Sequence, residues 1–407
     1  MLSYFNRSSV KDTFFLFLIM LQYLICILAG HEMKTHFISS IILIVIFWVE
    51  CIKKEFIVSQ LEGEGLLLLM FPIISFGMIQ CLLLKDSSIL IRCIGAFANI
   101  ITACCISKSI GFLKFSSILR KLTLINIIIV LTVVFCGTLE IDVSNMDKGE
   151  VFYLSWGIFK ISVVPGSWSG IDIVRSGGLF GHPNLFGLMS AIGIIGLAYE
   201  KKDYRMKWLW WIVFVISFII SESRASILFV MTFYLFNNVL SNDSVTSKKI
   251  KIILMLLLFV FLGIILVSLR SNDTSDITSG RMDIWELVYS IYNSGLDINM
   301  LFGIGIGKSS EYLTLVTGSF IPVDNSYIPL LLEMGIIGLG MWLSVLILFF
   351  FYASSIGTWR MHVSFLAGVI AYSFLEHELS LDLYSLHWLV YYLTLLSIQE
   401  KKNTLFY

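Results

Sequence analysis

The sequence predicts an all-α membrane protein that crosses the bilayer about twelve times. Of its 407 residues, 57% are hydrophobic and only 14% are charged, which gives a mean hydropathy of +0.89. Apolar runs long enough to span a bilayer recur along the whole chain. Lysines and arginines collect in every second connection between these runs. These observations exclude a soluble globular protein and predict a single polytopic membrane domain over residues 1–407.

The apolar runs, taken in order, define the predicted spans. The first run follows Arg7 and Lys11, as in a signal peptide, but it lacks a small-residue cleavage site and a polytopic chain follows it. We therefore expect this run to be a retained span. The predicted spans are about 14–30, 36–50, 65–84, 89–107, 122–139, 184–199, 208–221, 224–240, 250–268, 326–351, 361–376 and 383–399.

The distribution of basic residues predicts the orientation of the chain. Eighteen of the 28 lysines and arginines lie on the side that holds the termini, and an even number of crossings returns the chain to that side. The positive-inside rule therefore places both termini in the cytoplasm. Two long loops, about 140–183 and 269–325, then face outward.

Both outer loops contain segments that are predicted to be helical. The stretch Val151 to Val164 in the first loop is semi-apolar and predicts an interfacial or re-entrant helix. The second loop carries an amphipathic helix of about three turns, which lies on the membrane or on the protein. Its apolar positions, spaced as in a helix, are Ile284, Leu287, Val288 and Ile291.

Charge, cysteine and glycine patterns argue against several kinds of site. The net charge is zero, and no basic run or aromatic platform predicts a nucleic-acid partner. All seven cysteines precede residue 137 and none forms a CxxC pair, so we expect neither disulfides nor metal ligands. The alternating glycines of Gly303–Gly307 lack the strand and helix of a nucleotide loop, and they predict a tight turn against the membrane surface instead. We predict no metal site and no cofactor.

Arg224 is the first candidate for a functional residue. It lies in the polar turn Ser221–Ser226, inside an apolar run from Trp208 to Leu240 that is too short for two full crossings, which need about 40 residues. The turn is therefore predicted to be recessed below the outer surface, with Arg224 pointing into a water-filled cavity. The alternatives are an arginine that extends to the interface or one that pairs with Glu222.

Arg281 is the second candidate. It begins the amphipathic helix, where the planar guanidinium and the unpaired N–H groups of the helix start both suit phosphate oxygens. The alternatives are a solvated charge or a local pair with Asp283. Two such cations on one side of a membrane suggest an anionic, lipid-linked substrate.

Three further polar residues have both a functional and a structural interpretation. His182 can exchange protons near neutral pH, but the proline and asparagine that follow it also make an ordinary helix start. Asp324, or Ser326 close to it, is by default a helix N-cap. Glu333 lies two turns into the next span, where a carboxylate needs a partner.

In their order and spacing, these motifs resemble the O-antigen polymerase and O-antigen ligase superfamily, the Wzy-like and WaaL-like membrane glycosyltransferases. The resemblance covers the chain from about Gly178 to Leu339, and the layout of twelve spans with both termini inside agrees with it. The matching motifs are Gly181–Gly187 (GHPNLFG), Ser221–Arg224 (SESR), Gly280-Arg281 with Trp285, Gly303–Gly307 (GIGIG), Asp324–Tyr327 (DNSY) and Glu333–Gly338 (EMGIIG).

The resemblance implies an enzyme of the bacterial plasma membrane that works at the outer leaflet. Such enzymes move a sugar chain from polyprenyl pyrophosphate, the donor lipid, to an acceptor. Ligases of this superfamily typically carry His-Asn where this chain has Asp324-Asn325, which favours a polymerase for a capsule, O-antigen or exopolysaccharide. The acceptor is then the next lipid-linked repeat unit. The alternatives are a ligase that transfers finished glycan, and a flippase or exporter of lipid-linked oligosaccharide.

The resemblance also assigns expected roles to individual residues. Arg224 and Arg281 would stabilise the leaving pyrophosphate as preorganised cations. The acceptor hydroxyl needs a base, for which the candidates are Asp324, His182 and Glu333. Other candidate substrate-binding residues in the same motifs are Asn184, Ser223, Asn325 and Tyr327. The flippase and the chain-length regulator of the same pathway are candidate partners.

Overall fold

The structure is a computed structural model, and the residues it describes are 65–94, 112–142, 151–156, 159–168, 171–180, 182–200, 207–240, 286–290, 298–318, 326–354 and 359–376. Several predictions lie outside these residues. They concern the spans 14–30, 36–50, 250–268 and 383–399, most of the span 89–107, and the site residues Arg281, Asp324 and Asn325.

Helices dominate the described part of the chain and follow six of the predicted spans closely, whereas α2 begins ten residues before the predicted span 122–139. They are α1 (Gly65–Leu84), α2 (Phe112–Cys136), α3 (Pro183–Ile195), α4 (Lys207–Ser221), α5 (Arg224–Val239), α6 (Ile298–Phe302), α7 (Ser309–Thr317), α8 (Tyr327–Ser354) and α9 (Trp359–Ser373). Residues 87–94 and 286–290 are also helical. Two described helical segments, Phe115–Cys136 and Tyr327–Val345, are long and apolar enough to cross a membrane.

A four-stranded antiparallel sheet lies between α2 and α3, so the all-α prediction is wrong for the first outer loop. Its strands are β1 (Thr138–Asp142), β2 (Val151–Trp156), β3 (Phe159–Trp168) and β4 (Ile171–Ser176), paired in chain order.

The stretch Val151 to Val164, predicted as an interfacial helix, forms β2 and the first half of β3. Its aromatic and β-branched side chains favour extended backbone, and the neighbouring strands supply hydrogen-bond partners. Ile161 and Val163, two residues apart, are buried, and Ile161 packs with Val130 and Val133 of α2.

Helix α3 is the centre of the described bundle, because every one of its residues is buried. It packs against α2, α4 and α5. Glycine permits the close approach of α2, since a Cβ built at Gly196 would lie 2.0 Å from the Ser116 hydroxyl. On the far side of α5, Phe229 meets Phe365 of α9 edge to face, with ring centroids 5.4 Å apart.

Polar contacts distinguish the two ends of this bundle. At one end, Arg120 pairs with Glu200 and donates to the Gly193 carbonyl at 3.0 Å, and Arg360 donates to the Asn237 carbonyl at 2.6 Å. The Tyr199 hydroxyl donates to the Asn237 amide oxygen. Because Tyr199 precedes Glu200, this bond connects the Arg120–Glu200 pair with the contact between Arg360 and Asn237. We call this the basic end, defined by Arg120, Glu200, Lys207, Asn237 and Arg360. The opposite end, here called the motif end, contains residues 182–187, 221–226, 326–327 and 372–376.

The amphipathic helix predicted in the second outer loop lies on the protein. Its described residues, 286–290, are helical, and Val288 is buried with Leu313 of α7 and Leu332 of α8. The predicted apolar face is therefore confirmed for the described residues.

Candidate functional site

The first motif begins α3 at the motif end. His182 has extended backbone (φ −115°, ψ 137°) and is the N-cap of α3, and its Nδ1 accepts a hydrogen bond from the Asn184 amide at 3.3 Å. Its side chain is exposed. Because Nδ1 is the acceptor in this cap, the neutral imidazole carries its proton on Nε2. The geometry thus gives His182 a capping role, and its role as a base stays a prediction.

The second motif lies in the turn between α4 and α5, Ser221–Ser226, which we call the serine turn. Ser221, Glu222 and Ser223 are buried, whereas Arg224, the first residue of α5, is exposed. Ser223 is the N-cap: its hydroxyl accepts from the Ser226 amide at 3.4 Å and lies 2.7 Å from the Ser226 hydroxyl. Glu222 has a left-handed backbone with φ +48°. Neither of its carboxylate oxygens has a hydrogen-bond partner among the described residues, so the alternative pairing with Arg224 is not observed.

The first two motifs touch each other at Gly187. A Cβ built there would lie 2.4 Å from the Ser226 hydroxyl oxygen and 2.5 Å from Ser223 Cβ. Any larger residue would push the serine turn away from α3. The glycine that ends the first motif therefore fixes the position of the second.

The described part of the Asp324–Tyr327 motif, Ser326 and Tyr327, reaches the same end through α9. The Ser326 amide donates to the Ser373 carbonyl at 3.1 Å, and the Ser326 hydroxyl donates to the Glu376 carbonyl at 2.5 Å. The Tyr372 hydroxyl donates to the Asn184 carbonyl at 3.1 Å. Helix α9 thereby links the starts of α3 and α8. Tyr372 was not among the predicted site residues, and its hydrogen bond to a backbone carbonyl gives no signal in the sequence.

The predicted residues Asn184 and Tyr327 contribute to this linkage, but the structure gives them packing roles. Asn184 is buried and offers its backbone carbonyl to Tyr372. The Tyr327 hydroxyl donates to the Ile370 carbonyl at 3.1 Å. The structure thus gathers five predicted site residues at the motif end: His182, Asn184, Ser223, Arg224 and Tyr327.

Glu333 lies in a separate cluster around the second outer loop. It is buried, and its Oε1 accepts hydrogen bonds from the Ser309 hydroxyl at 2.7 Å and the Ser309 amide at 3.4 Å. These bonds cap the first turn of α7. Glu333 therefore anchors α7 in the structure, and its role as a base remains a prediction.

The alternating glycines Gly303–Gly307 form the predicted tight turn, here called the glycine turn, and this turn packs on α8. Gly303 has φ +79°, and the turn pairs Ile304 N with Leu332 O at 2.9 Å and Gly305 N with Glu333 O at 3.0 Å. A kink in α8 at Gly335 (φ 67°, ψ −172°) accompanies these bonds.

The side chains of Gln80 and Lys308 connect this part of the second outer loop to α1 and to the residues that follow α1. Gln80 of α1 donates to the Glu333 carbonyl at 2.7 Å. Lys308 pairs with Asp86, and hydrogen bonds from Lys308 and Ser88 lower the pKa of the Asp86 carboxyl to about 2. The second outer loop is thus held by α1 and α8 together.

Replacing Gly303 with alanine is expected to destabilise the protein by about 2–5 kcal/mol. Alanine would be strained in the left-handed backbone at this position, and its Cβ would also collide with α8. The new Cβ would lie 2.2 Å from the Glu333 carbonyl oxygen. Thermal unfolding of the purified protein in detergent measures the effect. Gly318→Ala has the same strain in open space and should cost about 1–2 kcal/mol. Gly340→Ala, in open space within α8, should be neutral or stabilising. Equal unfolding temperatures for the Gly303 and Gly340 variants would contradict the prediction.

Comparison with known families decides which class of protein has this arrangement. Residues 209–343 match the model of the family described as O-antigen ligase. These residues cover about a third of the chain, and the match supports the O-antigen polymerase and ligase superfamily. The match supports a polymerase-type or ligase-type function in surface polysaccharide biosynthesis. Proteins of this family are integral membrane proteins and glycosyltransferase-like enzymes. No curated protein matches the chain.

The segment shared with the O-antigen ligase family contains most of the site. It runs from α4 to the middle of α8 and includes the serine turn, Arg224, the glycine turn and Glu333. The first motif, with His182, precedes the matched residues and reaches the site through Gly187. Members of the family act on lipid-linked oligosaccharides in membranes.

Proposed function

We propose that the protein polymerises polyprenyl-pyrophosphate-linked repeat units at the outer leaflet of the bacterial plasma membrane, to make a capsule, O-antigen or exopolysaccharide. The observation that supports this best is Arg224. It is an exposed cation at the start of α5, on a buried serine turn packed against α3. A helix start adds unpaired N–H groups and a positive dipole end to the guanidinium. Both favour the pyrophosphate that leaves during the reaction.

In the proposed reaction, a hydroxyl oxygen of the acceptor attacks the anomeric carbon of the donor sugar. The bond between that carbon and the pyrophosphate oxygen breaks, and Arg224 with Arg281 stabilises the charge on the leaving group. The hydroxyl proton passes to a base, for which Asp324 is our first choice. Asp324 stands two positions before Ser326 in the sequence, and Ser326 lies at the motif end.

The distinction between polymerase and ligase rests on the sequence. Asp324-Asn325 stands where related ligases typically carry His-Asn, which favours a polymerase. The second candidate function is a ligase that transfers finished glycan to an acceptor, and the description of the matched family favours it.

The size of the glycan in a strain that lacks the protein tests the proposal. If the protein is a polymerase, single lipid-linked repeat units should accumulate, and restoring the gene should restore long chains. Long lipid-linked chains without attachment would instead identify a ligase. Repeat units that accumulate only on the cytoplasmic leaflet would identify a flippase.

The charges at the two ends of the bundle support an outward-facing motif end. Arg120, Lys207 and Arg360 all lie at the basic end, which the positive-inside rule assigns to the cytoplasm. The motif end then opens at the outer leaflet, where lipid-linked repeat units are polymerised. This orientation agrees with the proposed twelve spans and cytoplasmic termini.

Cysteine labelling tests the orientation. In a variant without the seven native cysteines, a membrane-impermeant reagent should modify a cysteine placed at Ser275 and spare one at Lys249. The former lies in the second outer loop, and the latter in a connection that is predicted to be cytoplasmic. The reverse pattern would overturn the orientation.

A further inference from the structure

Glu222 is a buried carboxylate that nothing in the described residues satisfies. Its relative exposure is 9%, and both carboxylate oxygens are buried without a hydrogen-bond partner. Its backbone is left-handed, with φ +48°. Only one other described residue besides glycine, Lys85, has a positive φ. An unsatisfied buried charge in strained backbone is unfavourable, and such groups cluster at functional sites.

The surrounding side chains are already engaged. The Ser223 hydroxyl contacts the Ser226 hydroxyl and accepts from the Ser226 amide. The Ser221 hydroxyl donates to the Phe218 carbonyl at 3.4 Å. Contact with Gly187 holds this arrangement in place. Neither serine hydroxyl donates to Glu222, so a ligand that carries hydroxyl groups would supply the missing donors.

We propose that Glu222 binds two hydroxyl groups of the sugar that is directly attached to the pyrophosphate of the donor. This inference rests on the proposed function. A carboxylate with two open oxygens accepts two hydrogen bonds side by side, which matches neighbouring hydroxyls on a sugar ring. The carboxylate rotates toward the ligand when the sugar enters, and the bonds it gains remove the unfavourable state of the free enzyme.

The position of Glu222 selects the first sugar as its ligand. Only Ser223 separates it from Arg224, so the two Cα atoms are about 7 Å apart at most. The group next to a pyrophosphate held by Arg224 is the sugar bonded to it. A metal ion is a poorer fit, because no group of three or more His, Cys, Asp or Glu side chains that could hold one lies among the described residues.

The proposal is tested by measuring how the Glu222→Gln substitution changes the binding of two ligands, one with the sugar and one without it. Lipid-linked repeat units contain the sugar, whereas farnesyl pyrophosphate has the pyrophosphate and a lipid but no sugar. We expect the KM for repeat units to rise about 10–100-fold, the loss expected for hydrogen bonds to a charged group, with kcat within about threefold of wild type. The Kd for farnesyl pyrophosphate should change less than about twofold. An unchanged KM, or an equal loss of farnesyl pyrophosphate binding, would overturn the proposal.

Two further variants separate ligand binding from folding. Glu222→Gly suits the left-handed backbone and removes the buried charge, so it should unfold at or above the wild-type temperature and still show the raised KM. Glu311→Gln, which changes an exposed glutamate of α7, should behave as wild type. Loss of activity that follows a lower unfolding temperature in both Glu222 variants would assign Glu222 to folding.

If the proposed polymerase function is wrong, the result differs from the one expected when only the role of Glu222 is wrong. In that case the wild-type protein would not lengthen repeat units at all. Binding of repeat units by wild type and Glu222→Gln would still decide the role of Glu222. Tighter binding by wild type would support it, and equal binding would overturn it.

Discussion

Replacing Arg224 with alanine is expected to lower the rate of polymerisation by about 10²–10³-fold, the usual loss when one preorganised group that stabilises developing charge is removed. Folding should be unaffected, because the side chain is exposed at the start of α5. Arg224→Lys should recover only part of the rate, since lysine keeps the charge and loses the planar fork. The measurement is chain growth by the purified protein on lipid-linked repeat units, sized on a gel.

Lys207 provides the matched control for this prediction. It is also a cation in the first position of a helix, but α4 begins at the basic end. Lys207→Ala should therefore polymerise at close to the wild-type rate. If the Arg224 and Lys207 variants lose activity equally, the effect comes from helix starts in general and not from a pyrophosphate site. Arg281→Ala is expected to resemble Arg224→Ala in the same assay.

Replacing Asp324 with asparagine is expected to lower the rate by about 10²–10⁴-fold, the usual contribution of a positioned base. His182→Ala should cost about 1 kcal/mol of stability, because it removes the N-cap of α3, and should lower the rate by less than tenfold. The structure favours this ranking, since protonation of His182 Nδ1 would break the cap hydrogen bond with Asn184.

His182→Asn separates capping from catalysis, because asparagine is a strong N-cap and a poor base. We expect this variant to keep both its stability and its rate. A dead His182→Asn enzyme that still binds the lipid-linked donor, together with a fully active Asp324→Asn enzyme, would transfer the role of base to the histidine. Both variants need the same purified substrate, so one set of assays decides between the residues.

Helix positions were predictable from the sequence because burial in lipid or protein imposes long apolar runs. The run 65–84 coincides with α1, and the run 208–221 differs from α4 by one residue. The sheet was not predictable in this way. Its strands are short and mix aromatic with polar residues, and strand pairing depends on partners elsewhere in the chain, as with Tyr153 opposite Ser162.

The candidate site was only partly predictable for a related reason. A charge within an apolar run stands out, and this singled out Arg224 and Glu333. The sequence could not distinguish their surroundings: Arg224 is exposed at a helix start, whereas Glu333 is buried and caps α7. Tyr372 escaped notice because its contribution is one hydrogen bond to a backbone carbonyl on α3. No residue pattern encodes such a contact.

The hydrogen bonds between the glycine turn and α8 imply an order of assembly during synthesis. The amides of Ile304 and Gly305 find their acceptors on Leu332 and Glu333, which the ribosome adds about 30 residues later. Because a chain is made from its N-terminus, we infer that the glycine turn waits in water until α8 enters the membrane.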